Sequence, residues 1–406
     1  MLAHHLGVGN DLNNAAGLLY FKAGHKSLDD PGLFQHLLVD QQMHIFLQCL
    51  DPKRIVQLRR RHRAHVLEQR LLEFDALAAN LGNDAALTIF DGTPENPTEV
   101  AVEDAVAQYL EAGCDGVVAL GGGSSMDLAK AVALAVTHEG DLIDYTAGLG
   151  GAGKIGQIAP LIAIPTTSGT GSEVSSGAVI IMKNGEKLIL ASRELVPRTA
   201  ICDPSLTLGL PPRLTAATGM DAMTHCIEAL LSPQINPPAE AVACDGIERG
   251  IRDGHLLQAV KDGKDEDARW HMMMAATEGA MAFSKGLGAV HSMSHACGAD
   301  QSLRLHHGTL NAVILPTILD FNRDHVGDKY SRLNTAMGIE SSADPADFIR
   351  DLNAEMELPA NLSEMGVQRD SIQDLATHAA KDVSNFTNPR PVSGEEYESL
   401  FEIALS

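Results

Sequence analysis

A short apolar strand that runs directly into three consecutive glycines constrains the fold of this 406-residue chain more than any other feature. Residues 116–120 form the predicted strand, glycines occupy positions 121–123, and a helical pattern runs from Ser124, the expected N-cap, to position 136. Glycine lets a backbone approach a phosphate closely, and the start of a helix presents free N–H groups to an anion. The pattern therefore indicates a phosphate loop, although it is not the Gly-x-Gly-x-x-Gly fingerprint, and the alternative is a plain turn.

Strands and helices alternate on both sides of this loop. Residues 85–90 and 161–164 have the composition of short buried strands, and residues 99–112 have helical spacing. A second loop of small residues, 166–172, follows the later strand and offers hydroxyl groups to a phosphate or a ribose, again with a plain turn as the alternative. Alternation of this kind predicts a parallel α/β sheet.

The pattern changes near residue 205, where most segments become helical. A chain of this length usually divides, because single cores stop growing at roughly 250–300 residues. We therefore predict an α/β domain over residues 1–204 and a helical domain over 205–406. The helices predicted in the second domain span residues 215–231, 238–252, 265–283, 289–297, 311–321 and 345–355.

Charge and cysteine content exclude several classes of partner. The formal net charge of −23 repels nucleic acid and anionic membranes, so neither is an expected partner. The six cysteines include no Cys-x-x-Cys pair, as is typical of reduced thiols in the cytoplasm. The first residues lack the pattern of a signal peptide, and no apolar run is long enough for a membrane-spanning helix. We expect a cytoplasmic protein.

The first 70 residues are atypical of the rest. They hold nine basic against six acidic residues and seven of the 17 histidines. The basic run at 59–63 (RRRHR) is interpreted as a solvated helix face, with a phosphate or nucleic-acid patch as the alternative. This segment is either divergent or misread, or a real extension of the α/β domain.

Histidines and one carboxylate recur at helical spacing in the second domain. Asp221 and His225 are four residues apart, as are His291 and His295, so each pair lies on one helix face. His307 follows near the expected end of the second of these helices. One carboxylate and three imidazoles suit Fe²⁺ or Zn²⁺. The alternatives are a capped or solvated helix face for the first pair and core packing for the second.

Several motifs in the same order resemble those of the iron-containing (group III) alcohol dehydrogenases, over residues 85–406. They are GGGSSMDLAK at 121–130, PTTSGTGSE at 165–173, AICDP at 200–204, TGMDAMTH at 218–225, the string from Gly288 to Gly308, and NPRP at 388–391. The resemblance implies an α/β dinucleotide-binding domain followed by an all-α metal-binding domain, the dehydroquinate synthase-like fold. It implies an NAD(P)-dependent alcohol dehydrogenase or aldehyde reductase, acting on a small alcohol or aldehyde such as 4-hydroxybutyrate.

Site residues follow from the same resemblance. The metal, Fe²⁺ or Zn²⁺, would be held by Asp221, His225, His291 and His307, the last chosen over His306 because it precedes the glycine. In such enzymes the ion polarises the substrate oxygen for hydride transfer with the nicotinamide. His295 would relay a proton. The residues implied for binding NAD or NADP are Gly122, Gly123, Ser124, Asp127, Thr166, Thr167 and Lys187.

Three alternatives stay open at this point. A maleylacetate reductase would share the cofactor loops, although the complete metal set argues against it. A lyase on the dehydroquinate synthase architecture would carry different ligands. An inactive homologue would fit the irregular first 70 residues, where the expected Val-Thr-Asp strand end is missing and residues 37–40 (LLVD) are the nearest match. Similar proteins are commonly dimers, so we expect a homodimer.

Overall fold

The computed structural model describes residues 17–22, 86–299, 303 and 305–406. The predictions for residues 37–40 and 59–63 lie outside these ranges. Within the described ranges the chain forms two compact units. One consists of the residues up to 164 together with 176–199, and the other of 165–175 together with 200–406.

The first unit is an α/β structure built on a five-stranded sheet of order β2-β1-β3-β4-β7. β1 pairs antiparallel with both β2 and β3, so the sheet departs from a purely parallel arrangement at this strand. β5 and β6 form a separate antiparallel hairpin that sequence patterns had not predicted. The elements of this unit are β1 (Gly17–Lys22), β2 (Ala86–Phe90), α1 (Glu99–Ala112), β3 (Gly116–Gly121), α2 (Gly123–Ala135), β4 (Leu161–Pro165), β5 (Gly177–Ile181), β6 (Lys187–Ala191) and β7 (Thr199–Ala200).

Strand β3 and helix α2 form the centre of this unit's core. Every residue of β3 is buried, and α2 buries Leu128 and Val132 completely. Lys130 on the same helix is also buried, and its ammonium donates to the carbonyl of Gly177 at 2.8 Å. That bond ties α2 to β5, because a buried cation must find an acceptor.

Ser124 was predicted to be the N-cap of α2, but the N-cap lies two positions earlier. Helix α2 begins at Gly123, its N-cap is Gly122, and Ser124 lies within the first turn. The Ser124 hydroxyl donates instead to the carbonyl of Glu95. The cap residue has no side chain, so no side-chain hydrogen bond covers the first N–H groups of α2. The strand, the glycine turn and the helix are otherwise as predicted.

The second unit is helical and is organised around α3. Every residue of α3 from Thr215 to Leu231 is buried, and α4, α5, α6 and α8 pack against it. In the described part of the chain, no helix is both long and apolar enough to cross a membrane. The helices are α3 (Pro212–Leu231), α4 (Pro237–Ile247), α5 (His255–Lys261), α6 (Glu266–Ala282), α7 (Ala289–Gly298), α8 (His307–Asn322), α9 (Lys329–Met337), α10 (Pro345–Glu355), α11 (Ile372–Lys381) and α12 (Gly394–Ala404).

Two helix boundaries differ from the sequence-based expectation, and the second of them affects the site. The predicted helix over 238–252 ends as an α-helix at Ile247 and continues as a π-helical turn to Arg252. His307 does not close the preceding helix, which ends at Gly298, but is the first residue of α8. The side chain therefore comes from the start of a third helix.

The loop over residues 165–175 packs with the helical unit, whereas a single boundary near 205 would assign it to the α/β domain. Gly171 has a φ of +60°, and a Cβ there would lie 2.2 Å from the Cβ of Ala280 on α6. Thr277, also on α6, donates to Glu173 at 2.9 Å. These contacts explain why the loop belongs to the helical unit. The roles of the first unit in cofactor binding and of the second in metal binding stay predictions.

Gly308 gives a test of how closely α8 must approach α3. A Cβ at Gly308 would lie 2.2 Å from the carbonyl oxygen of Ala217, and backbone cannot give way as a side-chain end can. We expect Gly308→Ala to lower the free energy of unfolding by about 1–3 kcal/mol, the usual cost of overpacking. Urea denaturation measures this. Gly394→Ala at the start of α12, where nothing lies within 4 Å, is the control, and an equal loss in both variants would contradict the packing argument.

Candidate metal centre and cofactor loop

Three helices bring the four predicted metal ligands together. Asp221 and His225 lie one turn apart on α3, His291 is on α7 and His307 begins α8. Asp221 Oδ1 is 3.6 Å from His307 Nε2 and 3.9 Å from His225 Nε2. The ligand atoms of Asp221, His291 and His307 all lie within 4.8 Å of one another, and the His225 ring stacks on His291 with centroids 4.7 Å apart.

This spacing fits a divalent ion. Bonds of about 2.0–2.1 Å in a tetrahedral site place neighbouring ligand atoms about 3.4 Å apart, close to the 3.6 Å between Asp221 Oδ1 and His307 Nε2. Imidazole nitrogen and carboxylate oxygen are ligands that Fe²⁺ and Zn²⁺ both accept. The side chains of Asp221 and His225 are 4% and 6% exposed, and that of His307 is 33% exposed. The group therefore opens towards solvent on the His307 side.

Burial keeps the imidazoles of this group neutral. It lowers the pKa of His225 to about 4 and the pKa of His291 to about 3, and neighbouring carboxylates offset only part of that effect. A neutral imidazole is the form that binds a metal ion. Both histidines are therefore ready to act as ligands near neutral pH.

Glu228 orients His291 and was not predicted from the sequence. Its Oε2 accepts from Nδ1 of His291 at 2.6 Å, and its Oε1 accepts from the Val290 backbone N–H at 2.8 Å. A carboxylate on Nδ1 leaves Nε2 with its lone pair free for a metal. Burial raises the pKa of Glu228 to about 7, although backbone N–H donors act in the opposite direction. The sequence signal that could have identified Glu228 is its position on α3, seven residues after Asp221 and three after His225.

The C-terminal Asn-Pro-Arg-Pro motif acts at the start of α7. Asn388 Oδ1 accepts from the backbone N–H of Ala289, the first residue of that helix, at 3.1 Å. Two amide hydrogen bonds with Asn322, 2.9 and 3.0 Å long, hold the Asn388 side chain in place. Asn388 therefore positions the helix that carries His291 and His295.

His295 forms a pair with Asp382 next to the ligand group. Nδ1 of His295 and Oδ2 of Asp382 are 2.9 Å apart, and the His295 ring stacks over His307 with centroids 5.3 Å apart. Burial alone would raise the pKa of Asp382, but its interactions with His295 and Ser384 outweigh burial and hold that pKa well below the usual range. An Nδ1–H bound to a carboxylate leaves Nε2 of His295 to exchange a proton. Nothing in the sequence pattern pointed to Asp382.

The adjacent histidine, His306, has a structural role. Its Nδ1 accepts from the backbone N–H of Thr309 at 3.4 Å, so it caps α8, and burial lowers its pKa. The metal-ligand assignment to His307 rather than His306 agrees with this placement.

A second group of potential ligands does not fit an ion. His255, Asp267 and His271 have ligand atoms within 4.8 Å of one another, but the two imidazole rings stack in parallel, with centroids 3.9 Å apart and planes 1° apart. Ring-nitrogen lone pairs lie in the ring plane, and planes only 1° apart do not converge, unlike those of His225 and His291, which are 21° apart. Arg249 Nη1 also lies 3.1 Å from His271 Nδ1.

The residues predicted for the cofactor fall into two sets. Gly122, Gly123 and Ser124 lie at the start of α2 in the α/β unit. Asp127 Oδ2 accepts from the Val179 backbone N–H at 2.9 Å, which links α2 to β5.

The other three predicted cofactor residues belong to other elements, although Lys187 interacts electrostatically with Asp127 of α2. Lys187 begins β6, donates to Asn96 Oδ1 at 3.2 Å, and has its pKa lowered by burial. Thr166 and Thr167 belong to the loop that packs with the helical unit. Direct contact of any of the seven predicted cofactor residues with a nucleotide stays a prediction.

A glycine-rich loop at a helix N-terminus in one unit and a carboxylate with three imidazoles in the other agree with the predicted nucleotide- and metal-dependent dehydrogenase. The family model described as iron-containing alcohol dehydrogenase matches residues 55–204, and the model described as the C-terminal part of the Fe-containing alcohol dehydrogenase family matches residues 215–405. The chain belongs to the iron-containing alcohol dehydrogenase family and is an oxidoreductase.

Individual relatives agree with that assignment. The chain is 52% identical over 327 residues to a 4-hydroxybutyrate dehydrogenase of Cupriavidus necator, covering 79% of this chain and 85% of that protein. The crystal structure of a 1,3-propanediol oxidoreductase superposes with a TM-score of 0.73 at 34% identity, covering 78% of this chain and 84% of that one. A sulfoacetaldehyde reductase from Bifidobacterium kashiwanohense in complex with NAD⁺ superposes with a TM-score of 0.74 at 27% identity, covering 87% and 89%. The predicted family, fold class and enzyme class are confirmed.

Glu228→Gln tests the orienting role of Glu228. The amide keeps an oxygen for the Val290 N–H but places an NH₂ against His291 Nδ1, which favours the tautomer with a proton on Nε2. We expect metal affinity to fall by about 10–100-fold, as is usual when a partner of a metal ligand is lost. Titration of chelator-treated protein with Zn²⁺ measures this.

The matched control for that variant is Glu278→Gln on α6. Glu278 is partly buried and accepts from Arg249 Nε at 3.1 Å, but it does not belong to the ligand group. Its metal affinity should stay at the wild-type value. Equal affinities in wild type and Glu228→Gln would show that Glu228 does not control His291.

Proposed function

We propose that this chain is an NAD-linked dehydrogenase that interconverts a small primary alcohol and its aldehyde, with Fe²⁺ bound by Asp221, His225, His291 and His307. The observation that carries the proposal is the convergence of these four side chains from three helices. The 52% identity to a 4-hydroxybutyrate dehydrogenase supports a short ω-hydroxy acid as the substrate.

The donor set supports a catalytic rather than a purely structural ion. Structural zinc sites are closed and often contain thiolates, whereas catalytic sites keep one side open. Here the open side is at His307, and the thiol next to His225 in sequence, Cys226, donates to the carbonyl of Ala275 at 3.8 Å. When bound, the ion supplies Lewis acidity that polarises the substrate oxygen for hydride exchange with the nicotinamide.

His295 is proposed to move the proton in this reaction. It is on α7 one turn after His291, and its ring lies alongside that of His307 on the open side of the ligand group. Asp382 holds its Nδ1–H, so Nε2 can take the proton from an alcohol or return it to a product.

The start of α2 is proposed to bind the cofactor pyrophosphate. Gly122 and Gly123 leave the backbone N–H groups accessible, and the helix dipole favours an anion there. Asp127, Lys187, Thr166 and Thr167 are proposed to contribute to the remainder of the cofactor site. NAD is preferred over NADP because a relative with the same fold is known as an NAD⁺ complex. A cytoplasmic homodimer without nucleic-acid or membrane partners completes the proposal.

A substrate comparison tests this function directly. Protein loaded with Fe²⁺ should oxidise 4-hydroxybutyrate with NAD⁺ at a higher kcat/KM than 1-butanol, which has the same carbon chain without the carboxylate, and NADP⁺ should be the poorer cofactor. Absorbance of the reduced nicotinamide follows the reaction, and Zn²⁺-loaded protein is assayed in parallel. His291→Ala should lose both metal content and turnover. If every alcohol is left unoxidised by protein that binds metal and NADH, the assignment fails.

His295→Asn tests the proton step separately. We expect kcat to fall by about 10²–10⁴-fold, the usual contribution of a general acid–base, with metal content unchanged. His378→Asn, which alters an exposed histidine on α11, is the control and should behave as wild type. A loss of metal in His295→Asn would assign this residue to metal binding instead.

A further inference from the structure

Asn311 lies at the centre of the ligand group, although it is not one of the four ligands. It is completely buried on α8, one turn after His307. Its amide nitrogen Nδ2 is 2.7 Å from Asp221 Oδ1 and 3.2 Å from the Nε2 atoms of both His291 and His307. It therefore contacts three of the atoms that are proposed to bind the ion.

An amide NH₂ and a cation compete for the same lone pairs. The NH₂ group has two hydrogens, so it cannot serve three acceptors fully at one time. Glu228 holds the Nδ1–H of His291, which makes Nε2 of His291 an acceptor. A metal ion needs these same lone pairs, and it repels an N–H donor. The amide of Asn311 must therefore reorient when an ion binds.

The amide oxygen of Asn311 indicates that this reorientation is a half-turn of the amide group. Oδ1 of Asn311 is buried and has no hydrogen-bond partner among the described residues. A half-turn about the Cβ–Cγ bond exchanges the amide oxygen and nitrogen with little change in shape. Facing Asp221 Oδ1 without a cation, the amide oxygen would be repelled, whereas facing a cation it would be a good ligand.

We propose that Asn311 is a fifth member of the metal site, with Oδ1 as a ligand. Without an ion, the NH₂ group of Asn311 holds Asp221, His291 and His307 together. With an ion, the amide turns and presents Oδ1. The inference rests on the proposed metal-dependent function and deepens it, because an added oxygen ligand favours a five-coordinate ion such as Fe²⁺ over four-coordinate Zn²⁺.

Two other buried asparagines differ from Asn311 in the hydrogen-bond partners of their amide groups. Asn353 and Asn334 also have an Oδ1 without a partner among the described residues. Their Nδ2 atoms, however, donate to backbone carbonyls, and that of Asn353 contacts the carbonyl of Ala312 at 2.7 Å. Only the amide of Asn311, of these three, contacts the ligand group, so Asn353 is a matched control.

Metal affinity in two Asn311 variants separates an oxygen ligand from a simple hydrogen-bond donor. Chelator-treated protein is titrated with Co²⁺ and Zn²⁺ against a competing chelator. Asn311→Ala removes both roles, and we expect it to weaken Co²⁺ binding by about 10–100-fold, comparable to loss of a partner in a metal site. Asn311→Asp retains an oxygen and loses the donor, so its Co²⁺ affinity should be at least that of wild type. Asn353→Ala should bind Co²⁺ as wild type does.

The absorption spectrum of bound Co²⁺ reports the ligand number independently. Four-coordinate tetrahedral Co²⁺ absorbs visible light much more strongly than five-coordinate Co²⁺. Wild type and Asn311→Asp should therefore give weak bands, and Asn311→Ala should give stronger bands of tetrahedral type. Circular dichroism of each variant checks that it is folded, and Asn311→Asp, which has nearly the same shape, keeps the test informative if Asn311→Ala does not fold.

Each outcome decides between the alternatives. Asn311→Asp binding Co²⁺ as weakly as Asn311→Ala would mean that Nδ2 donation is the whole role, and would overturn the proposal. Wild-type affinity and an unchanged spectrum in Asn311→Ala would overturn it as well. His291→Ala is the reference for the function itself. If that variant binds Co²⁺ as tightly as wild type, the proposed metal site fails as a whole, whereas if only the Asn311 variants are unaffected, the fifth ligand alone is wrong.

Discussion

The arrangement of the helical unit depends on the hydrogen bond between Glu228 and His291. Helix α3 buries two carboxylates, Asp221 and Glu228, and an unpaired buried charge costs several kcal/mol. The partners must come from other helices, so α7 brings His291 and the N-terminal N–H of Val290 to Glu228. Helix α8 brings His307 and Asn311 to Asp221 in the same way. The packing of three helices therefore follows from satisfying two carboxylates on one of them.

The C-terminal end of α3 is stabilised in a similar way, but by a buried cation that pairs with carbonyl oxygens. Buried Lys285 donates to the carbonyl oxygens of Ala229, Leu230 and Ser232 at 2.8–3.1 Å, where the helix leaves its last acceptors unpaired. A cation at a helix C-terminus also interacts favourably with the negative end of the helix dipole. The helix that supplies Asp221 and His225 is thus restrained along its whole length, which suits a site whose ligands must keep their positions.

Sequence patterns predicted the interactions that lie within one element better than those between elements. The spacing of Asp221 and His225 defines one face of a helix, and the glycines before α2 define a turn, so both were predicted correctly. Glu228, Asn311 and Asp382 were not, because each becomes meaningful only when a distant helix supplies its partner. Ser124 was placed wrongly as a cap, since the helix starts two residues earlier than a cap at Ser124 requires, and its hydroxyl donates to the carbonyl of Glu95. The β5–β6 hairpin was missed although the Asn184-Gly185 pair between its strands is a typical hairpin signal.

The contact between Asn388 and Ala289 has a consequence for biosynthesis. The two residues are 99 positions apart. During translation, α7 emerges from the ribosome long before the side chain that secures its first turn has been made. Domains usually fold as units once enough chain is available. The first residue of α7, which precedes His291 and His295, therefore lacks this hydrogen bond until 99 further residues have been synthesised.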